Sequence, residues 1–210
     1  MAELRSSRRT FLSASAAAAV AAPMLGAAPA TAASKNGGGP RPQAPGRELR
    51  ALLREIDQKR IEATVRRLVA FGTRHTLSSQ DDPVRGIGAA RDWIFAELTR
   101  YAAASGGRMT VELQSFIQPV SSRIPAPTRI TNVVATLRGD TAPDRIYVVT
   151  GHYDSRVTDV MDFTSDAPGA DDDASGIATL TEVIRPSPIL SVLGRPVASM
   201  KSAWISCHRL

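Results

Sequence analysis

The chain has little of several residue types, and each shortage excludes something. It holds one cysteine, Cys207, in 210 residues, which rules out an internal disulfide and says nothing more about compartment. Aromatic residues make up only 5%, and no basic stripe interleaved with aromatics runs along the chain. The formal net charge of +6 comes from arginines spread over the sequence, so the surplus reads as a basic solvated surface and excludes a nucleic-acid interface. Long apolar runs are missing too. The alanine-rich stretch near the N-terminus is weakly apolar and interrupted by Pro23 and Pro29, which argues against a stable membrane span. Histidine is scarce: His75, His152 and His208 are all there are. Acidic residues stop at Glu182, with none in the remaining stretch.

What is present falls into four parts. Residues 7–12 read Ser-Arg-Arg-Thr-Phe-Leu, and Ala30-Thr31-Ala32 offers a small-residue cleavage site. The order resembles a twin-arginine export signal over 1–32, which predicts a periplasmic or secreted protein with no membrane attachment of the mature chain. Residues 33–46 are rich in Gly and Pro and read as a linker. Residues 47–185 carry the periodic patterns of one folded domain. Residues 186–210 contain Pro186, Pro188 and Pro196 and no acid, and read as a tail foreign to the fold, such as a frameshift would produce.

Within the domain, Leu49, Leu52, Leu53 and Ile56 repeat at helical spacing. Asp57 suits an N-cap for a second helix presenting Ile61, Val65, Leu68 and Val69. A third helix over 84–104 lines up Ile87, Ala90, Ile94, Leu98 and Tyr101, with Trp93 as a core or flank residue. Strands are expected from Met109, over Ile130 to Leu137, and over Ile146 to Thr150, the last two pairing as a hairpin. The third, β-branched and apolar, reads as a buried core strand. Helices before and after a growing sheet predict an α/β layered domain.

The stretch with chemistry runs from Ile146 to Arg185. After the strand, His152 and Asp154 are two apart and so share one side of an extended backbone. Ligands of open α/β sheets bind beyond the carboxyl ends of strands, where this pair falls. Twenty residues past His152 comes Asp172, the middle of three consecutive aspartates, Asp171 to Asp173, at the start of a helix with Ile177, Leu180, Val183 and Ile184 on one side. One aspartate suffices to cap a helix; three in a row repel one another and call for a cation or several donors. Imidazole with carboxylate suits zinc, and Asp154 is placed to orient the histidine ring. The alternative is a secreted, non-enzymatic module in which Asp171 to Asp173 take calcium, though His152 is a poor calcium ligand. His75 has no carboxylate at useful spacing and reads as structural or surface-exposed.

The motifs GHYDS and PGADDDASG resemble those of the co-catalytic di-zinc aminopeptidases that include secreted bacterial leucyl aminopeptidases, peptidase family twenty-eight. The likeness extends more loosely over about Arg47 to Arg185. It implies a mixed central β-sheet flanked by helices on both faces, zinc-exopeptidase-like and incomplete at the C-terminus. It implies two zinc ions and a peptide substrate with a free N-terminal amine. His152 would bind one zinc, Asp172 would bridge both, and Asp154 would orient His152; a cis peptide would join Asp172 to Asp173. The family pattern also calls for a later Glu-Glu pair, a further Asp and a later His. No acid follows Glu182, Glu182 itself reads as a solvent-facing helix position, and the one later histidine, His208, lies two residues from the end. The expectation is therefore half a site, on a truncated and inactive chain.

Overall fold

The computed structural model describes residues 46–138, 146–185 and 202–206. The signal segment 1–32, nearly all of the linker, most of the 186–210 tail and His208 lie outside the described residues. Among the described residues, no helix is long and apolar enough to cross a membrane.

Three helices come first: α1 (Arg47–Glu55), α2 (Gln58–Val69) and α3 (Gly86–Ala103). Asp57 caps α2 by accepting the Lys59 N–H at 2.8 Å. Ile87, Ala90, Ile94 and Leu98 of α3 are buried as their spacing predicts. Trp93 packs against that core, its ring 6.4 Å from Phe71. The apolar stripe of α1 is less well covered, since Leu49, Leu53 and Ile56 stay exposed.

The strands are β1 (Met109–Gln118), β2 (Thr128–Leu137), β3 (Val148–His152) and β4 (Ser202–Ser206), in the sheet order β1-β2-β4-β3. β1 and β2 pair antiparallel along their full lengths, from Met109 opposite Leu137 to Gln118 opposite Thr128. The expected hairpin of the second and third strands does not form. β4 lies between them, antiparallel to β2 and parallel to β3. Ten residues separate Leu137 from Val148. That is ample to span two strand spacings of about 4.8 Å each, so a short connection does not force adjacency. The strand that does so, Ser202–Ser206, comes from the segment whose composition reads as foreign to the fold.

A second expectation also changes. The apolar run before His152 is an edge strand, not a buried one: Val148 and Val149 are 56% and 41% exposed. A short apolar run alone does not distinguish an edge from a centre. A kinked turn, Ala170–Ala174, follows the long loop after β3 and leads into α4 (Ser175–Ile184). α3 packs on β1 and β2, while α4 packs on β3 and against α2. The core gathers Leu68, Phe71, Ile94, Leu98, Val133, Tyr153, Ile177 and Ile184.

On α4 the predicted face is right at Ile177, Leu180 and Ile184, but Val183 is half exposed. Glu182 is not solvent-facing. Its side chain is 4% exposed and receives Arg60 Nη2 at 2.6 Å, Arg60 Nε at 3.0 Å and the Asp57 N–H at 3.0 Å. A carboxylate among apolar neighbours is stable there because a guanidinium and an orphan helix N–H converge on it.

Candidate metal centre

β3 delivers its last residue, His152, to the end of the sheet. Tyr153 turns the other way into the core, where its hydroxyl donates to the Thr131 carbonyl at 2.6 Å. That anchor returns Asp154 to the side of His152. His152 Nδ1 stands 2.9 Å from Asp154 Oδ1, and its Nε2 stands 3.1 Å from Asp172 Oδ1. The Thr76 hydroxyl donates to the other Asp154 oxygen at 3.3 Å. Asp154 is buried and thus held on both oxygens, whereas Asp172 is exposed.

The three aspartates do different things. Asp173 Oδ2 accepts the His152 N–H and Oδ1 accepts the Gly176 N–H, each at 3.1 Å, so this carboxylate ties the end of β3 to the first turn of α4. A Cβ on Gly176 would overlap the Asp173 carboxylate, which explains a glycine inside the helix. Asp172 faces His152, and Asp171 is exposed. The peptide bond between Asp172 and Asp173 is cis. Gly169 enters the turn at φ +44°, a left-handed value; a Cβ there would lie 2.6 Å from the Ser155 Cβ.

With Nδ1–H donated to Asp154, the neutral His152 ring presents a lone pair at Nε2, directed at an oxygen that is also an acceptor. Two acceptors 3.1 Å apart are stable only with a proton or a cation shared between them. The Asp154 hydrogen bond, working against burial, raises the imidazole above its ordinary pKa; the charges of Asp154 and Asp173 add to it. Imidazole nitrogen and carboxylate oxygen are zinc donors in type. In number they make half of a tetrahedral set. Among the described residues, no group of three or more His, Cys, Asp or Glu side chains is gathered to hold a metal. The fit is that of a partial site.

His75 lines a cavity with Asp154 but makes its own contacts. It is buried, not exposed: Nδ1 accepts the Leu77 N–H at 3.0 Å, which leaves Nε2–H to donate to the Val160 carbonyl at 3.1 Å. Its role is structural. Sequence reasoning missed Thr76 and Arg74, whose partners lie about 80 residues away. The polar run Thr73 to Thr76, set between two amphipathic helices, was the signal available.

Residues 132–187 match the model of peptidase family M28. A "probable zinc metalloprotease" of Leptosphaeria maculans is 63% identical over 142 residues, which cover 68% of this chain and 33% of that protein. Over the residues matched, the chain belongs to peptidase family M28. A "probable zinc metalloprotease" of Pyricularia oryzae is 62% identical over 143 residues, 68% of this chain and 28% of its own length. The chain thus spans about a third of the length of the curated relatives it matches. Among solved structures, a glutaminyl cyclase of Macrostomum lignano superposes with a TM-score of 0.52 at 18% identity, over 76% of this chain and 40% of that one, a likeness of fold alone. The mixed α/β fold and the M28 peptidase family follow, and zinc is the metal for which the relatives are named. The calcium-binding alternative is not favoured, since an imidazole stands at the centre of the site and the relatives are named for zinc.

Proposed function

We propose that this chain carries the first half of the co-catalytic zinc centre of an M28 aminopeptidase, with His152 as a ligand of one ion, Asp172 as the carboxylate shared between two, and Asp154 as the orienting residue. The observation that carries this reading is the placement of the His152 ring between two carboxylates, 2.9 Å from Asp154 and 3.1 Å from Asp172. Bound zinc would lower the pKa of a water and polarise a peptide carbonyl. The residues present prepare for that. Asp154 takes Nδ1–H, which fixes the ring's orientation and makes Nε2 the nitrogen a metal would take. Asp172, exposed and next to the fixed Asp173, presents its carboxylate at the helix start.

The substrate we infer is a peptide with a free N-terminal amine. A proton acceptor beside the attacking water is missing from the described site. Glu182 is committed to Arg60 and Asp57, and no acid follows it in the sequence. These 210 residues by themselves should therefore not turn over peptides. We propose further that residues 7–12 direct twin-arginine export, which a reporter fused behind residues 1–46 would test by its appearance outside the cytoplasm and its retention when Arg8 and Arg9 become Lys.

The experiment for the site is a zinc titration of the full chain beside His152→Ala and Asp172→Ala. Weak binding lost in both variants supports the reading. Binding unchanged by either removes it.

A further inference from the structure

Arg74 is a fully buried guanidinium, and among the described residues no carboxylate is bonded to it. A charge in such a place is costly unless every donor is used. Four of its five N–H donors go to backbone carbonyls. Nε donates to Tyr153 O at 2.7 Å, Nη1 to Leu68 O and Pro168 O at 2.9 Å each, and Nη2 to Gly169 O at 3.0 Å. Burial pulls its pKa down to about 10, only partly offset by the charges of Asp154 and Asp173, so the group remains cationic at neutral pH.

The identity of those carbonyls matters. Tyr153 sits between His152 and Asp154. Pro168 and Gly169 lead directly into the turn that bears Asp172. Leu68 belongs to α2, which provides a fixed point. One planar fork therefore spans the two segments that carry the metal ligands and ties both to a helix. The backbone at the same position adds to this: Arg74 N–H donates to Ser155 Oγ at 3.1 Å, Ser155 N–H donates to Arg74 O at 3.1 Å, and Ser155 Oγ–H donates to Ala167 O at 2.6 Å. Gly169 closes against the fork, since a Cβ there would lie 3.0 Å from Nη2. Lysine could not reproduce the arrangement, because its ammonium is a point donor on a flexible stem.

We propose that Arg74 is a positioning residue of the zinc centre: by bonding the carbonyls of Tyr153, Pro168 and Gly169 together, it sets the separation of His152 from Asp172. This rests on the reading of His152 and Asp172 as zinc ligands. It differs from a merely structural role, for which the Arg60–Glu182 pair supplies a control: that pair is also buried on one side and pins α4, but touches neither ligand.

The test uses the full chain and zinc alone. Zinc affinity is read by NMR from the amide signals of His152 and Gly176, and thermal midpoints are recorded beside it, for wild type, Arg74→Lys, Arg60→Met and His152→Ala. The expected result is a loss of about tenfold or more in affinity for Arg74→Lys at a temperature where it is folded. Arg60→Met should lower the midpoint while leaving the affinity within about twofold of wild type, as expected for a change outside the metal's surroundings. Wild-type affinity in Arg74→Lys overturns the proposal. If Arg74→Lys does not fold, the wild-type protein decides: saturating zinc should slow exchange of the Arg74 Nε–H with water, by reciprocity of coupling, and an unchanged rate overturns the proposal. A zinc response that survives His152→Ala removes the zinc reading and Arg74's role with it. A response lost in His152→Ala but intact in Arg74→Lys overturns Arg74's role alone.

Discussion

At the scale of single residues, His152 has one ring nitrogen fixed by a buried carboxylate and the other directed at an exposed one. The two carboxylates should respond differently to change. Asp154→Asn keeps the shape but allows the wrong ring nitrogen to carry the proton. Zinc affinity should fall roughly 10- to 100-fold by titration, with the thermal midpoint little changed; an unaltered affinity would remove Asp154 from its orienting role. Gly169→Ala should weaken zinc binding as well, because the new methyl strikes Ser155 and Arg74 and the backbone there is left-handed. A crystal structure of that variant should show the 168–172 segment displaced from Tyr153; an undisplaced segment would contradict the tight approach.

At the scale of elements, α4 is held by two carboxylates, one at each end. Near its start, Asp173 accepts the Gly176 N–H, and Gly176→Ala should displace that carboxylate at a cost of about 1 kcal/mol. Near its end, burial alone would raise the Glu182 carboxyl, but the Arg60 hydrogen bonds, the Asp57 N–H and the Arg60 and Arg185 charges outweigh it and hold the carboxyl below its ordinary value. A depressed carboxyl stabilises fully above its unfolded pKa of about 4.3 and loses that contribution as pH falls through the lower folded value. Glu182→Gln should therefore lower stability by about 1–3 kcal/mol at pH 7, with the gap to wild type closing below about pH 4, as read from urea unfolding at each pH. A gap that is constant with pH would show that the charge contributes nothing.

This contrast also explains what the sequence revealed. His152, Asp154 and Asp172 are legible because a strand end puts i and i+2 on one side and because three aspartates exceed what a helix start needs. Asp57 is legible because a cap acts on its own neighbour. Glu182 is not, because its partners Asp57 and Arg60 lie more than 120 residues back, and an acid between Thr181 and Val183 looks like an ordinary exposed position. Arg74 is hidden for the same reason. The sheet order is hidden because alternation and turns describe strands and not which of them pair; nothing local marks Ser202–Ser206 as the neighbour of both β2 and β3.

At the scale of the whole molecule, the described residues bring together one imidazole and one carboxylate where a tetrahedral zinc would take four ligands, and Glu182 is committed to Arg60. Without a free base, a contribution on the order of 100-fold to 10,000-fold in rate is absent. Zinc-supplemented chain should accordingly release no chromophore from leucyl and other aminoacyl anilides above the His152→Ala control, whereas robust turnover abolished by that substitution would mean that a base and further ligands have been overlooked. The measurement closest to the central claim is equilibrium dialysis of the purified full chain against zinc, beside His152→Ala. The account predicts weak uptake that His152→Ala abolishes. Tight, stoichiometric retention of two zinc ions per chain, or uptake indifferent to His152, would contradict it.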